Sequence, residues 1–146
     1  MKTVYTVGYN GRTLEEFLEL LAQFSITLLI DVRRWPTSRR MPWFSREALQ
    51  RALERLGIEY LWLGDLLGGY RHGGFEQYMK SREYGLGIER LVNAIESSRG
   101  FTAVMCCEKL WFRCHRRFIS DSLVDRGYVV VHIIEEGKTY IHKRKL

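Results

Sequence analysis

The sequence predicts an α/β fold: a single three-layer domain over residues 1–146, with a mostly parallel sheet of about five strands flanked by helices. Three observations carry this. Apolar runs of strand length alternate with amphipathic stretches of helical period, the order of successive β-α-β units. Leu28-Leu29-Ile30-Asp31-Val32 and Phe101-Thr102-Ala103-Val104-Met105-Cys106 are almost continuously apolar, as strands covered on both faces are. The 146 residues, 46% hydrophobic and 27% charged, suffice for one core without disulfide staples.

The elements follow in order. Val4-Tyr5-Thr6-Val7 reads as the first strand, ending at Gly8. Thr13 is placed to cap the next helix, with Glu16 completing a capping box, and Leu14, Phe17, Leu18, Leu21 and Phe24 form its apolar stripe. The run 28–32 is the second strand. Ser45 is expected to cap a helix striped by Ala48, Leu49, Ala52, Leu53 and Leu56, with Gly57 as terminator. Tyr60-Leu61-Trp62-Leu63 is the third strand, and Gly64 to Gly74 reads as a mobile glycine-rich loop. A short helix over Phe75 to Lys80 and a longer one carrying Ile88, Leu91, Val92 and Ile95 lead to the strand 101–106. A helix from about Arg113 to Arg126 and a strand Val129-Val130-Val131-His132-Ile133 complete the pattern.

Charge narrows the function. Lys plus Arg number 23 against 17 acids, a net charge of +6, and 17 of the 23 are arginine. Arginine's planar fork suits phosphate and carboxylate, so the expected partner is an anionic small molecule or a nucleic acid. No apolar run approaches a membrane span and the N-terminus lacks a signal-peptide pattern, so no membrane partner and a cytoplasmic location are expected. Three cysteines within nine residues, an odd count, do not form a secreted disulfide framework.

In a parallel α/β sheet, ligands sit beyond the carboxyl ends of the strands. Reactive residue types gather there: Tyr9 and Asn10 after the first strand, Asp31 and Arg33 at the second, Cys106, Cys107 and Glu108 at the fourth. Five residues separate Glu108 from Cys114-His115-Arg116. A cysteine on such a strand–loop–helix turn can be a thiolate nucleophile, its pKa lowered by a helix N-terminus and by Arg113 or Arg116. His115 suits a base, a proton donor or a phosphate contact, and Glu108 a proton carrier. The same cysteines also suit core packing, since free cysteine is among the most buried residue types. Cys107 and Arg113 match the spacing of a phosphatase loop, but the intervening Glu108-Lys109-Leu110-Trp111-Phe112 lacks the small residues such a loop needs. Adjacent cysteines on a strand face opposite ways and no CxxC pair occurs, so neither a metal site nor a cofactor is expected.

A second constellation lies between Val32 and Arg46. No acid interrupts it, and Arg33, Arg34, Arg39, Arg40 and Arg46 interleave with Trp35, Trp43 and Phe44. Charge for phosphates beside rings for bases is the composition of a nucleic-acid groove. The glycine-rich stretch carries neither a GxGxxG nor a P-loop signature.

Together these landmarks resemble the domain of unknown function 488 family of bacteria and archaea. They are Gly8-Tyr9-Asn10, Asp31-Val32-Arg33 with Pro36, Phe44, Tyr60, Leu67-Gly68-Gly69, Cys106 with Glu108, Cys114-His115-Arg116, and Val131-His132-Ile133. The first often reads glycine–histidine–serine in that family, so this chain lacks that histidine. A small residue usually stands where Cys107 does, which makes Cys107 incidental. The resemblance implies a compact cytoplasmic α/β domain whose polar landmarks converge on one site. It does not supply a substrate.

Two readings of function follow. In the first, the protein is a cysteine-centred enzyme acting on an anionic, phosphate-bearing substrate. Cys106 is then the preferred nucleophile, with Cys114 beside it. Arg33 and Arg116 hold the anion, Glu108 and His115 move protons, Asp31 orients Arg33 or His115, and Tyr9 and Asn10 line the pocket. In the second, a non-catalytic module grips nucleic acid through Arg34, Trp35, Arg39, Arg40 and Trp43 and the tail His142-Lys143-Arg144-Lys145. A thiol redox pair of Cys106 and Cys114 is a further alternative.

Overall fold

A computed structural model describes residues 2–144. Thr3–Gly8 forms β1, Ile26–Asp31 β2, Glu59–Trp62 β3, Phe101–Cys106 β4, Val129–Glu135 β5 and Lys138–Ile141 β6. The helices are α1 (Leu14–Gln23), α2 (Arg46–Glu54), α3 (Gly64–Leu67), α4 (Phe75–Tyr78), α5 (Arg82–Ser97) and α6 (Arg116–Asp125). The strands form one sheet in the order β3-β2-β4-β1-β5-β6. Every pairing is parallel except β5 with β6.

Period-two alternation divides the core. Val4, Leu28, Ile30, Val104 and Val130 point to one face, where Leu67, Ile88, Leu91, Ile119 and Leu123 of α3, α5 and α6 cover them. Val7, Leu29, Ala103, Met105 and Ile133 point to the other, against Phe17 and Leu21 of α1 and Leu49 and Leu53 of α2. The three expected layers are therefore present, and burial on both faces explains the continuously apolar central strands.

The capping box forms as its residues require: the Glu16 amide donates to Thr13 Oγ1 at 3.0 Å and the Thr13 amide to Glu16 Oε1 at 2.8 Å. Ser45 stands at the N-cap of α2 but does not cap it; its hydroxyl instead accepts from the Ser38 amide at 3.1 Å. α2 stops at Glu54, and Gly57 follows at φ +74°.

Three expectations need correction. The sheet has six strands, because Lys138–Ile141 doubles back from β5 through a turn with Gly137 at φ +71°. That strand is wholly exposed and lacks the apolar alternation that marks a strand in sequence. The last helix begins at Arg116, since Trp111–Arg113 closes as a 3-10 turn. The glycine-rich stretch is not one loop: Gly64–Leu67 is helical, Leu67 is fully buried, and Gly68 and Gly69 are buried too.

Candidate functional site: a thiol pair at the carboxyl edge of the sheet

A cavity of about 320 Å³ opens at the carboxyl ends of β1, β2 and β4, where the strand order turns back on itself. Tyr9, Arg33, Cys106, Glu108, Cys114 and His115 all line it. Residues from both sheet faces meet here. Cys106 and Cys114 belong to the core side of α5 and α6, whereas Tyr9 and Cys107 pack toward α1 and α2.

The two thiols differ in what they receive. Cys106 ends β4, is 2% exposed, and lines the cavity together with Cys114. Burial pushes the Cys106 thiol well up, and the neighbouring Cys114 adds to this. At Cys114 the order reverses. The neighbouring Cys106 lowers its pKa most; burial opposes this; the Arg116 charge and the Arg116 amide, which donates to Cys114 Sγ at 3.2 Å, lower it further. Cys114 is therefore the more thiolate-prone of the two sulfurs. Cys107, on the opposite strand face, is raised by burial and by the charges of Cys106 and Glu108. All three are free thiols.

Arg33 is held as a buried fork. Its Nε and Nη2 donate to the Asp31 carboxylate at 2.9 and 2.8 Å, and its own amide donates to Asp31 Oδ1 at 3.0 Å. Tyr60 donates its hydroxyl to Asp31 Oδ2 at 2.6 Å. Asp31 is fully buried and lines no part of the cavity; it positions Arg33. Burial works against the Arg33 charge, yet the Asp31 carboxylate more than offsets it, so the guanidinium pKa rises. Nη1 of Arg33 is buried without a hydrogen-bond partner.

His115 stands at the N-cap of α6. Its Nε2 lies 3.1 Å from the Val32 carbonyl, which accepts and so requires a proton on that nitrogen. In the neutral ring Nδ1 then carries the lone pair, next to Gly69. Burial lowers the His115 pKa, partly offset by the Cys106 thiol and the Val32 carbonyl, so the neutral ring prevails near pH 7. The space for this arrangement depends on glycine. A Cβ on Gly69 would stand 3.2 Å from His115 Nδ1, and one on Gly8 only 1.8 Å from the Glu108 carbonyl oxygen, where the loop after β4 crosses.

The cavity mouth carries Arg34, Trp35, Tyr70 and Arg113. Trp35 is 59% and Tyr70 85% exposed, and their rings lie 5.7 Å apart at 35°. Tyr70 has φ +60°, one of two non-glycine residues in the left-handed region among the described residues. Such a backbone costs a bulky side chain of order 1–3 kcal/mol. Arg34 spans the pair: its Nη1 donates to the Tyr70 carbonyl at 2.5 Å and its guanidinium lies 5.1 Å from the Trp35 ring centre.

Other residues singled out in the sequence fall elsewhere. Asn10 lies with Arg40 on a separate groove, its amide bonded to the Cys107 carbonyl at 2.9 Å. Arg116 is 1% exposed and does not line the cavity; its Nη2 donates to the Lys109 carbonyl at 3.3 Å, and its Nε and Nη1 are buried without partners. It acts on the thiols as a charge from behind, not as a surface grip on substrate. Arg39 and Trp43 are exposed and line neither opening. In the tail, His142 is 6% exposed and Arg144 pairs with Asp121 and Asp125 at 3.0 and 2.8 Å, so neither stands ready for phosphate; Lys145 lies outside the described residues.

Two features were not foreseen. Tyr70 and Phe75 line the cavity without any motif to announce them. Behind Arg116 runs a buried chain: Thr6 Oγ1 to His132 Nδ1 at 2.5 Å, His132 Nε2 to His142 Nδ1 at 2.9 Å, and His142 Nε2 to Asp121 Oδ1 at 2.7 Å. Trp111 stacks on the His132 ring at 4.4 Å and 3°. Burial, with Arg116 and His142, drives the His132 pKa down to about 2, so His132 is neutral. Its link to His142 joins residues ten apart across a hairpin whose second strand the sequence did not reveal.

Among the described residues, no three His, Cys, Asp or Glu side chains group as a metal site, and no helix is long and apolar enough to cross a membrane. The class defined by fold and site is an α/β domain with a cysteine pair and a buried arginine at the carboxyl edge of its sheet. The family model for the domain of unknown function DUF488 matches residues 13–123, more than half of the chain, and the chain belongs to that family. Comparison with curated proteins and with solved structures gives no match.

Proposed function

We propose that the cavity is the active site of a thiol enzyme acting on an anionic, phosphate-bearing substrate, with Cys114 as the nucleophile. The observation that carries this reading is the asymmetry of the thiol pair. Cys114 Sγ accepts from the Arg116 amide at 3.2 Å while Cys106 is almost fully buried, in the cavity whose wall holds the Asp31-clamped fork of Arg33. Arg33 draws the anion to the cavity wall with its buried, Asp31-clamped positive charge. The Cys114 thiolate attacks an electrophilic centre beside the anionic group, forming a bond from sulfur as the bond to the leaving group breaks. The leaving group departs with the bonding pair and takes a proton from water at the mouth, where Glu108 stands. Neutral His115 then accepts a proton at Nδ1 from a second water, which cleaves the bond to sulfur and restores the thiolate, and the proton on His115 passes to the hydroxide left by the first water, which returns the ring to its neutral form. In this proposal Cys106, the nucleophile the sequence favours, is instead the buried thiol that supports the Cys114 thiolate.

The test is iodoacetamide labelling of the folded protein, read site by site by mass spectrometry, with and without inorganic phosphate. Cys114 is expected to label far faster than Cys106, and phosphate to slow it. Arg33→Lys keeps the charge but loses the fork, and should weaken that protection while retaining the fold. Labelling of Cys114 only on unfolding, or no effect of phosphate at any concentration, would overturn the reading.

A further inference from the structure

We infer that the mouth of the cavity is a nucleobase bench: the substrate is a nucleoside phosphate whose base stacks on Trp35 and Tyr70 while its phosphate reaches Arg33. The inference rests on reading the cavity as the site of Cys114 chemistry and names its substrate class.

Two independent observations point there. The first is exposure. Trp35 and Tyr70 present exposed rings from different loops, in contact with each other and lining the same cavity. At 5.7 Å between centres and 35° of tilt they are in contact with each other, so they form a surface to stack upon and not a slot to enter. The second is strain. Gly68 is forced by close approach, since a Cβ there would stand 2.4 Å from the Gly64 carbonyl oxygen, and Gly69 packs tightly, a Cβ there standing 3.2 Å from His115 Nδ1. The chain leaves this contact with residue 70 at φ +60°, a conformation glycine adopts freely. Tyrosine there adds backbone strain and little burial, since its ring is 85% exposed. Core packing does not account for it; a ring held outward does.

Charge supplies the rest of the ligand. Arg34 occupies a position over Trp35 and pins Tyr70, and Arg33 and Arg113 line the same cavity, against one acid, Glu108. An anion with a flat aromatic part satisfies both the rings and the cations. A cavity of about 320 Å³ lies at the lower end of small-molecule sites, the size of one nucleotide unit. Stacking on any base face is sequence-tolerant, so all four bases are expected to bind.

The experiment is a calorimetric titration of the wild type with AMP, CMP, GMP and UMP, with ribose 5-phosphate as the base-free control. Mononucleotides are expected to bind at least about tenfold tighter than ribose 5-phosphate. Tyr70→Gly relieves the backbone strain, so its melting temperature should hold or rise while that tenfold ratio falls toward one. A 5′-phosphorylated tetranucleotide separates the two sources of the ligand. Equal affinity with AMP marks a free nucleotide, and much tighter binding marks the end of a strand; both keep the bench. Equal binding of ribose 5-phosphate and mononucleotides, or no binding of any nucleotide or oligonucleotide, would overturn it. Phosphate protection of Cys114 is read separately, so loss of base selectivity with protection intact sinks only the bench, and loss of protection sinks the thiol reading itself.

Discussion

Cys114 and Cys106 are the same chemical group lining one cavity, and their surroundings assign them different work: Cys106 is almost fully buried, and Cys114 receives the Arg116 amide. Replacing Cys106 by alanine removes its support and should raise the Cys114 thiol pKa, seen as a shift of the pH–rate profile of iodoacetamide labelling to higher pH. Cys106→Ser keeps an O–H donor in nearly the same place and should restore most of the low-pH reactivity. Equal profiles for wild type and Cys106→Ala would show that the pair is only packing. The sequence placed both cysteines, Glu108, His115, Arg33 and Tyr9 near one strand edge, and the structure brings these six around one cavity. It did not show which thiol receives the Arg116 amide, because that depends on how the loop 107–115 returns from β4 to α6. Nor did it show Tyr70, whose importance lies in a backbone angle that no residue pattern records.

At the scale of elements, two local rules set the geometry. The loop after β4 passes over Gly8 so closely that Gly8→Ala must displace it: the added Cβ would meet backbone, which has no rotamer to yield. Overpacking of this kind costs typically about 1–3 kcal/mol, and chemical denaturation should find a loss at or above that range. Slower labelling of Cys114 should accompany it, since Cys114 rides on the displaced loop. Thr13→Ala dissolves the capping box of α1, far from the cavity, and should cost about 1 kcal/mol with labelling unchanged. The capping box was readable because two residue types three positions apart, Thr13 and Glu16, determine it. The sixth strand was not, because an exposed antiparallel edge strand needs no apolar alternation. The failure of Ser45 to cap α2 has the same character: its hydroxyl is recruited by Ser38, seven residues earlier, across a loop whose path the sequence leaves open.

For the molecule as a whole, the buried chain Thr6–His132–His142–Asp121 links β1, β5, the segment after β6 and α6. The native His132 pKa is depressed to about 2, against about 6.5 in an unfolded chain. Its contribution is therefore complete above pH 6.5 and is lost as pH falls below it, because only the unfolded state takes up the proton in that window. Arg116, His142 and Asp121 surround it, and the Arg116 charge adds to the cost of protonation. Urea unfolding between pH 7.5 and 4.5 should show stability falling by up to about 1.4 kcal/mol per pH unit from this group. His132→Asn should flatten that limb; an unchanged limb would remove His132 from the account. The three-layer sheet was legible because its central strands are apolar on both faces, whereas this chain depends on a partner strand and a helix that meet only in three dimensions.

The central claim is a stabilised thiolate at Cys114, and ultraviolet absorbance near 240 nm measures thiolate directly. Titrating the folded wild type and Cys114→Ser in parallel should give a difference curve with one inflection below the ordinary thiol range of about 8.5. A difference curve that rises only at or above that range would mean that the pair of cysteines is core packing and that the cavity holds no thiolate centre.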